Sequence, residues 1–151
     1  MNTFSLKLEG MDKINEKIEQ LAQVASKDVP LELKQIGVDL QAKAQEKAPN
    51  DLGDLRGSAF TVVSGEDLSK NTTVDKHPKS IRGQIPNSDR NQIIVGFTEP
   101  YAVRQHEDMT YKHDRRGEVV GGPKFLENAF KENKDKYIKD IESLIKKAVT
   151  K

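Results

Sequence analysis

The sequence predicts an α+β protein: a small antiparallel or mixed β-sheet packed against two N-terminal helices and a long C-terminal helix. Three observations carry this reading. Apolar residues recur with a period of two near the N-terminus, then at helical spacing as far as Ala48. Two runs rich in β-formers follow, Ala59–Val63 and residues 92–97, with no helical pattern between them, so there is no βαβ alternation. A last amphipathic pattern runs from Pro123 to the C-terminal region.

Phe4, Leu6 and Leu8 alternate with polar neighbours, which predicts a half-buried first strand ended by Gly10. Ile14, Ile18, Leu21 and Val24 or Ala25 then give a helix over residues 12–26, with Glu and Lys on its other face. Asp28 is placed to cap a second helix, and Pro30 fits its first turn, where a missing N–H costs nothing. Leu33, Ile36, Leu40, Ala44 and Ala48 form the inner stripe of that helix. Gly37 and the alanines allow a neighbouring element to come close, and Pro49 should stop the helix. The cluster of Pro49, Asn50, Asp51 and Gly53 reads as a turn. After it, Leu55 should plug the core while Arg56 and Ser58 start the strand Ala59–Val63.

Residues 66–91 read as a polar insert of mixed charge, with weak strand signals only at Thr72, Thr73 and Val74 and at Ser80 and Ile81. An insert of this length inside one domain is usually functional or ordered on binding. Residues 92–97 read as a central strand closed by Pro100, residues 101–107 as a short helix, and residues 107–122 as a mobile loop. Phe125, Leu126, Ala129, Phe130, Tyr137, Ile138, Ile141, Leu144, Ile145 and Ala148 then trace the last helix. Lys146, Lys147 and Lys151 complement the dipole at its end. No internal repeat or long linker divides residues 1–151, so a single domain is expected.

Composition narrows the function. Hydrophobic residues make up 34% of the chain, charged residues 32% and aromatics 5%. That core is lean, which suggests that neighbours complete part of the structure. With Lys+Arg 25 against Asp+Glu 24, the net charge of +1 supplies no global field to recruit nucleic acid or anionic lipid. The absence of cysteine excludes thiolate chemistry and disulfides. The opening residues lack the pattern of a secretory signal, and no apolar run approaches the roughly 20 residues of a membrane span. The expected product is soluble and made in the cytoplasm.

The densest functional signal lies between Tyr101 and Gly122. His106, Glu107, Asp108, His113 and Asp114 are metal-ligating types, and a small metal-dependent hydrolase or nuclease could use His106, Glu107, His113 and Asp114. The spacing argues against it. The two histidines are seven positions apart, with neither an HExxH order nor an i, i+4 pair. An acid–base role for His106 with Glu107 or Asp108 has no third group to orient the pair, and no serine or cysteine has a nucleophile's context. His77 reads as exposed beside Pro78. Gly96 and the Gly121-Gly122 pair lack phosphate-loop spacing and read as turn or helix-entry glycines. Lys112, Arg115 and Arg116, with Lys76, Lys79, Arg82 and Arg90, could contact DNA phosphates in an adaptor. Interleaved acids keep that balance mild and favour salt bridges between subunits or solvated charge.

Three segments together resemble the neck or tail-completion proteins of long-tailed double-stranded DNA phages and prophages, a family of minor structural or head–tail joining proteins. They are "FSLKLEGMDKI", "AKAQEKAPNDLGDLRGS" and "VGFTEPYAVRQHEDMT", the last followed after a loop by "PKFLENAF". The second is similar to the family's Ala-Pro, spacer, Gly-x-Leu-Arg-x-Ser. The third is similar to its strand, Tyr-Ala, Glu, and Phe-Leu-x-x-Ala helix entry. Leu52 stands where the family usually has Thr, and Asp108-Met109-Thr110 where a Gly-Thr often follows the Glu.

The resemblance implies a non-enzymatic virion protein of the head–tail junction, with no cofactor and no bound metal. It would assemble as a homo-oligomeric ring between the connector and the tail-tube or tail-terminator proteins, near DNA but without sequence-specific reading. Host cytoplasm would be its place of assembly. The residues expected at its interfaces are Arg56, Tyr101, Arg104, His106, Glu107, Asp108, Lys112, Arg115 and Arg116. Tyr101 offers an apolar ring with a polar tip, and the mixed charges would set register more than affinity.

Overall fold

A computed structural model of the chain describes residues 11–49, 54–63, 66–68, 92–110, 114–115, 118–119 and 121–150. The strand expected at Phe4, Leu6 and Leu8, the Gly53 turn and residues 69–91 of the polar insert lie outside them.

Helix α1, Met11–Gln23, runs through a π-helical turn, Val24–Asp28, into α2, Val29–Lys47. The expected break at Asp28 does not occur. Asp28 has helical dihedrals and makes no capping hydrogen bond from its side chain. Pro30 explains the join. Its ring would clash with a carbonyl one α-helical turn back, and it has no N–H to donate. Widening the preceding turn relieves both problems, and the Val29 N–H reaches back five residues to the Val24 carbonyl.

α2 buries Leu33, Ile36, Leu40 and Ala44, with Ala48 just beyond it, which is the stripe the spacing predicts. It ends at Lys47, and Ala48 is already extended before Pro49. Gly37 is where the sheet comes closest. A Cβ there would lie 2.7 Å from Thr61 Cγ2 and 3.3 Å from Ile93 Cγ2. Thr61 is fully buried against this helix and donates its hydroxyl to Gln41 Oε1 at 2.6 Å, so the polar group is satisfied.

A short helical turn, α3, spans Asp54–Gly57, so Arg56 lies in a helix and does not start the strand. Leu55 fills the core as expected. The sheet has the order β2-β1-β3 and is antiparallel throughout, with β1 Ala59–Val63, β2 Glu66–Asp67 and β3 Ile93–Phe97. The central strand is therefore β1, buried at every position. β3, predicted to be central, lies at an edge among the described residues and is half-buried along its length. Its apolar run reflects contact with two helices, a signal that sequence alone does not separate from burial between strands.

A six-residue helix, α4 (Ala102–Glu107), follows β3. The segment expected as a mobile loop contains two short paired strands, β4 Asp114–Arg115 and β5 Glu118–Val119. The last helix, α5 (Phe125–Thr150), packs antiparallel along α2. Among the described residues two clusters join the helices. Ile36, Leu40, Ala44, Ala129 and Tyr137 join α2 to α5, and Ala48, Leu55, Ala102 and Phe125 join the ends of α2, α3, α4 and α5.

The stripe on α1 is not buried. Ile14, Ile18 and Leu21 are 53%, 58% and 39% exposed; among the described residues α1 meets the far end of α5, where Lys17 Nζ donates to the Val149 carbonyl at 3.4 Å. Phe130, Ile138 and Ile145 of α5, expected on its inner stripe, are also largely exposed.

Candidate functional site

The site forms where α4 meets the start of α5. Ala102 is buried against Phe125, which anchors α4 on the second core cluster. Phe125 stands edge-on to Phe97 on one side and to the His106 ring on the other, each with centroids 4.9 Å apart. The Lys124 N–H donates to the His106 carbonyl at 2.8 Å, tying the end of α4 to the entry of α5. Lys124 adopts φ 56°, a left-handed conformation unusual for a residue with a side chain, so its neighbours must hold it there.

Side chains complete that clamp. His106 Nδ1 lies 2.6 Å from Glu107 Oε1, and its Nε2 faces the Glu127 backbone N–H at 3.4 Å. The arrangement fits a neutral ring carrying its proton on Nδ1, which donates to Glu107, while Nε2 accepts from a first-turn amide of α5. Glu107 also pairs with Lys124, which reaches Glu127 at 3.5 Å, and Glu127 pairs with Lys131. The hydrogen bond from Lys124, reinforced by His106, holds the Glu107 carboxyl below its ordinary range, and Lys131 does the same for Glu127. Glu107 in turn raises the Lys124 ammonium. His106 and Glu107 thus meet. Both ring nitrogens have structural partners, and no nucleophile joins them among the described residues. No group of three or more His, Asp or Glu that could hold a metal ion occurs among those residues.

Around the clamp the surface mixes apolar and charged groups. Tyr101, Val103 and Met109 are 42%, 72% and 68% exposed, and Arg104 is exposed between them. Asp108 ends α4 and accepts from the Thr110 N–H at 3.0 Å and the Thr110 hydroxyl at 2.6 Å. Of the expected interface residues, Tyr101, Arg104, His106, Glu107 and Asp108 come together here. The side chains of Lys112, His113, Asp114, Arg115 and Arg116 lie outside the described residues. Arg56 sits apart on α3. Its Nε and Nη2 donate to the Ala48 carbonyl at 2.9 and 2.8 Å, and Nη2 donates to the Glu46 carbonyl at 3.1 Å, capping the end of α2.

Sequence reading missed Lys124, Glu127, Val103 and Met109. The signal for Lys124 was its place after Gly121-Gly122-Pro123. Gly121 has φ 79°, and a Cβ there would meet the Ala48 backbone at 2.5 Å, so only glycine fits. Gly122 donates its N–H to the Lys47 carbonyl at 3.1 Å. These glycines close α2 and aim Lys124.

Residues 12–103 match the profile of the HK97-gp10-like family, described as "Bacteriophage HK97-gp10, putative tail-component". No curated protein and no solved structure matches the chain. The family match spans more than half of the 151 residues and takes in α2, the sheet and the start of α4. On that extent the chain belongs to the HK97-gp10-like family, a family of phage tail components.

Proposed function

We propose that the protein is a non-enzymatic structural component of the phage head–tail junction, assembled as a ring between the connector and the tail tube. The observation that carries this reading is the family match over residues 12–103, whose described role is that of a tail component. The site geometry supports it. A firmly clamped surface presents Tyr101, Val103 and Met109 beside Arg104 and Glu107, the mixture of anchor and charge that sets register between protein surfaces. Arg56, His106, Asp108, Lys112, Arg115 and Arg116 complete the proposed contact set. Ring closure requires heterologous contacts, so the neighbours of each copy touch different faces. Virion localisation follows from this role. No helix among the described residues is long and apolar enough to cross a membrane.

The test is genetic and visual. Deleting the gene from its phage should leave filled heads and separate tails by electron microscopy, with joined particles restored when the chain is supplied in trans. A Tyr101→Ala/Arg104→Glu chain should restore few or none. Joined, infectious particles from the deletion would overturn the reading.

A further inference from the structure

An apolar groove of about 390 Å³ runs beside β3, lined by Ile36 and Leu40 of α2, Ile93 and Val95 of β3, and Phe130 and Tyr137 of α5. None of its lining residues belongs to β1. It borders β3, whose outer edge is the one away from the β1 pairing. Among the described residues no strand pairs with that outer edge of β3. An edge strand with its amides exposed is a template for another strand, and alternate side chains of the added strand would fill such a groove.

A segment outside the described residues has the alternation such a strand needs, more fully than the short signals at residues 72–74 and 80–81. Phe4, Leu6 and Leu8 share one face, and Ser5, Lys7 and Glu9 share the other. Its own chain cannot deliver it. The helix is unbroken from Met11 through Gly37, with helical dihedrals at both joints, and Gly37 sits against Ile93 at the near end of β3. Those 26 residues at about 1.5 Å each carry Met11 roughly 39 Å from the groove. Fully extended, the seven residues from Met11 back to Phe4 span at most about 25 Å. We propose that the groove beside β3 receives the N-terminal segment, residues 4–8, of a second copy of this chain, which adds as a strand to the β3 edge.

Passed from each copy to the next, the exchange is a heterologous contact of the kind that closes rings; exchanged reciprocally, it makes a dimer. The inference deepens the ring reading above and rests on it for the requirement that several copies meet. It is tested on the purified chain alone, so the two can fail separately.

The chain has no cysteine, so introduced thiols report without background. Full-length Leu6→Cys protein is mixed with full-length Val95→Cys protein under mild oxidation. The expected product is a covalent heterodimer in excess of either homodimer on a non-reducing gel. In a second measurement, a full-length Leu6→Glu/Leu8→Glu variant should sediment as a monomer with unchanged helical circular dichroism, while the unmodified chain sediments as an oligomer. An intramolecular disulfide in the Leu6→Cys/Val95→Cys double variant, with no heterodimer from the mixture, would show that the segment docks on its own chain and overturn the proposal. An unmodified chain that stays monomeric at the highest attainable concentration would overturn it too, leaving the junction role to the deletion experiment.

Discussion

Glu107 holds together two parts of the chain that are far apart in sequence, since His106 precedes it directly while Lys124 lies across the β4–β5 segment. Its carboxyl is held below the ordinary 4.5 chiefly by the Lys124 hydrogen bond, then by His106. A depressed folded value means that the ionised form stabilises the fold. That contribution is fully present above the ordinary carboxylate range and is lost as pH falls through the lowered folded value. Lys124, raised from 10.5 by Glu107, works in the opposite sense. Its contribution is present below 10.5 and is lost as pH rises through the raised value. Replacing Glu107 with Gln should therefore lower the thermal midpoint at neutral pH, and the deficit should shrink as the solution is acidified through the carboxylate range. A midpoint difference constant with pH would argue that the residue acts through packing. The pair is solvent-exposed, so the effect should be small. That His106 and Glu107 are neighbours along the chain could be read from the sequence. Their bond and the part played by Lys124 could not, because both depend on the left-handed turn at residue 124 that brings α5 back onto α4.

At the scale of elements, the α2–sheet contact is set by one missing side chain. Gly37 lets Thr61, Val63 and Ile93 approach the helix, and a Cβ would stand 2.7, 3.2 and 3.3 Å from their methyl groups. Gly37→Val forces β-branched bulk into that space and should destabilise the protein by about 1–3 kcal/mol, since overpacking shifts backbone as well as side chains. Urea unfolding would show this as a lower midpoint with an unchanged slope. The inner stripe of α2 and the role of Gly37 were legible because helical spacing and small residues are local signals. The join between α1 and α2 was not. Asp28 and Pro30 carry the marks of a helix start, but a proline is also tolerated inside a helix whose preceding turn widens. The seam between α2 and α5 was equally hidden. Lys43 bonds Asp39 and Asn133 at 2.7 Å each, and the Tyr137 hydroxyl donates to Asp39 at 2.7 Å. Burial raises the Asp39 carboxyl, yet the bonds from Lys43 and Tyr137 outweigh it and hold the group low. Burial, with Asp39 beside it, raises the Tyr137 phenol.

Across the whole molecule, apolar surface is left uncovered where a self-sufficient protein would bury it. Ile14 and Ile18 on α1, Phe130 on α5 and the groove beside β3 all face outward among the described residues. If association covers part of this surface, folding and assembly are linked, and the thermal midpoint should rise with protein concentration, as mass action requires. A midpoint independent of concentration would count against self-association. By itself the sequence determined the α+β class, the inner face of α2, the β1 and β3 runs and the family, because periodicity, turn chemistry and motif order are properties of neighbouring residues. Tertiary structure alone decided that β1 is the central strand, that α1 continues α2 out beyond the sheet, and that Lys124 closes on Glu107. Each of those depends on which distant surfaces meet, and a one-dimensional pattern records that a residue is apolar or charged without recording what it will touch.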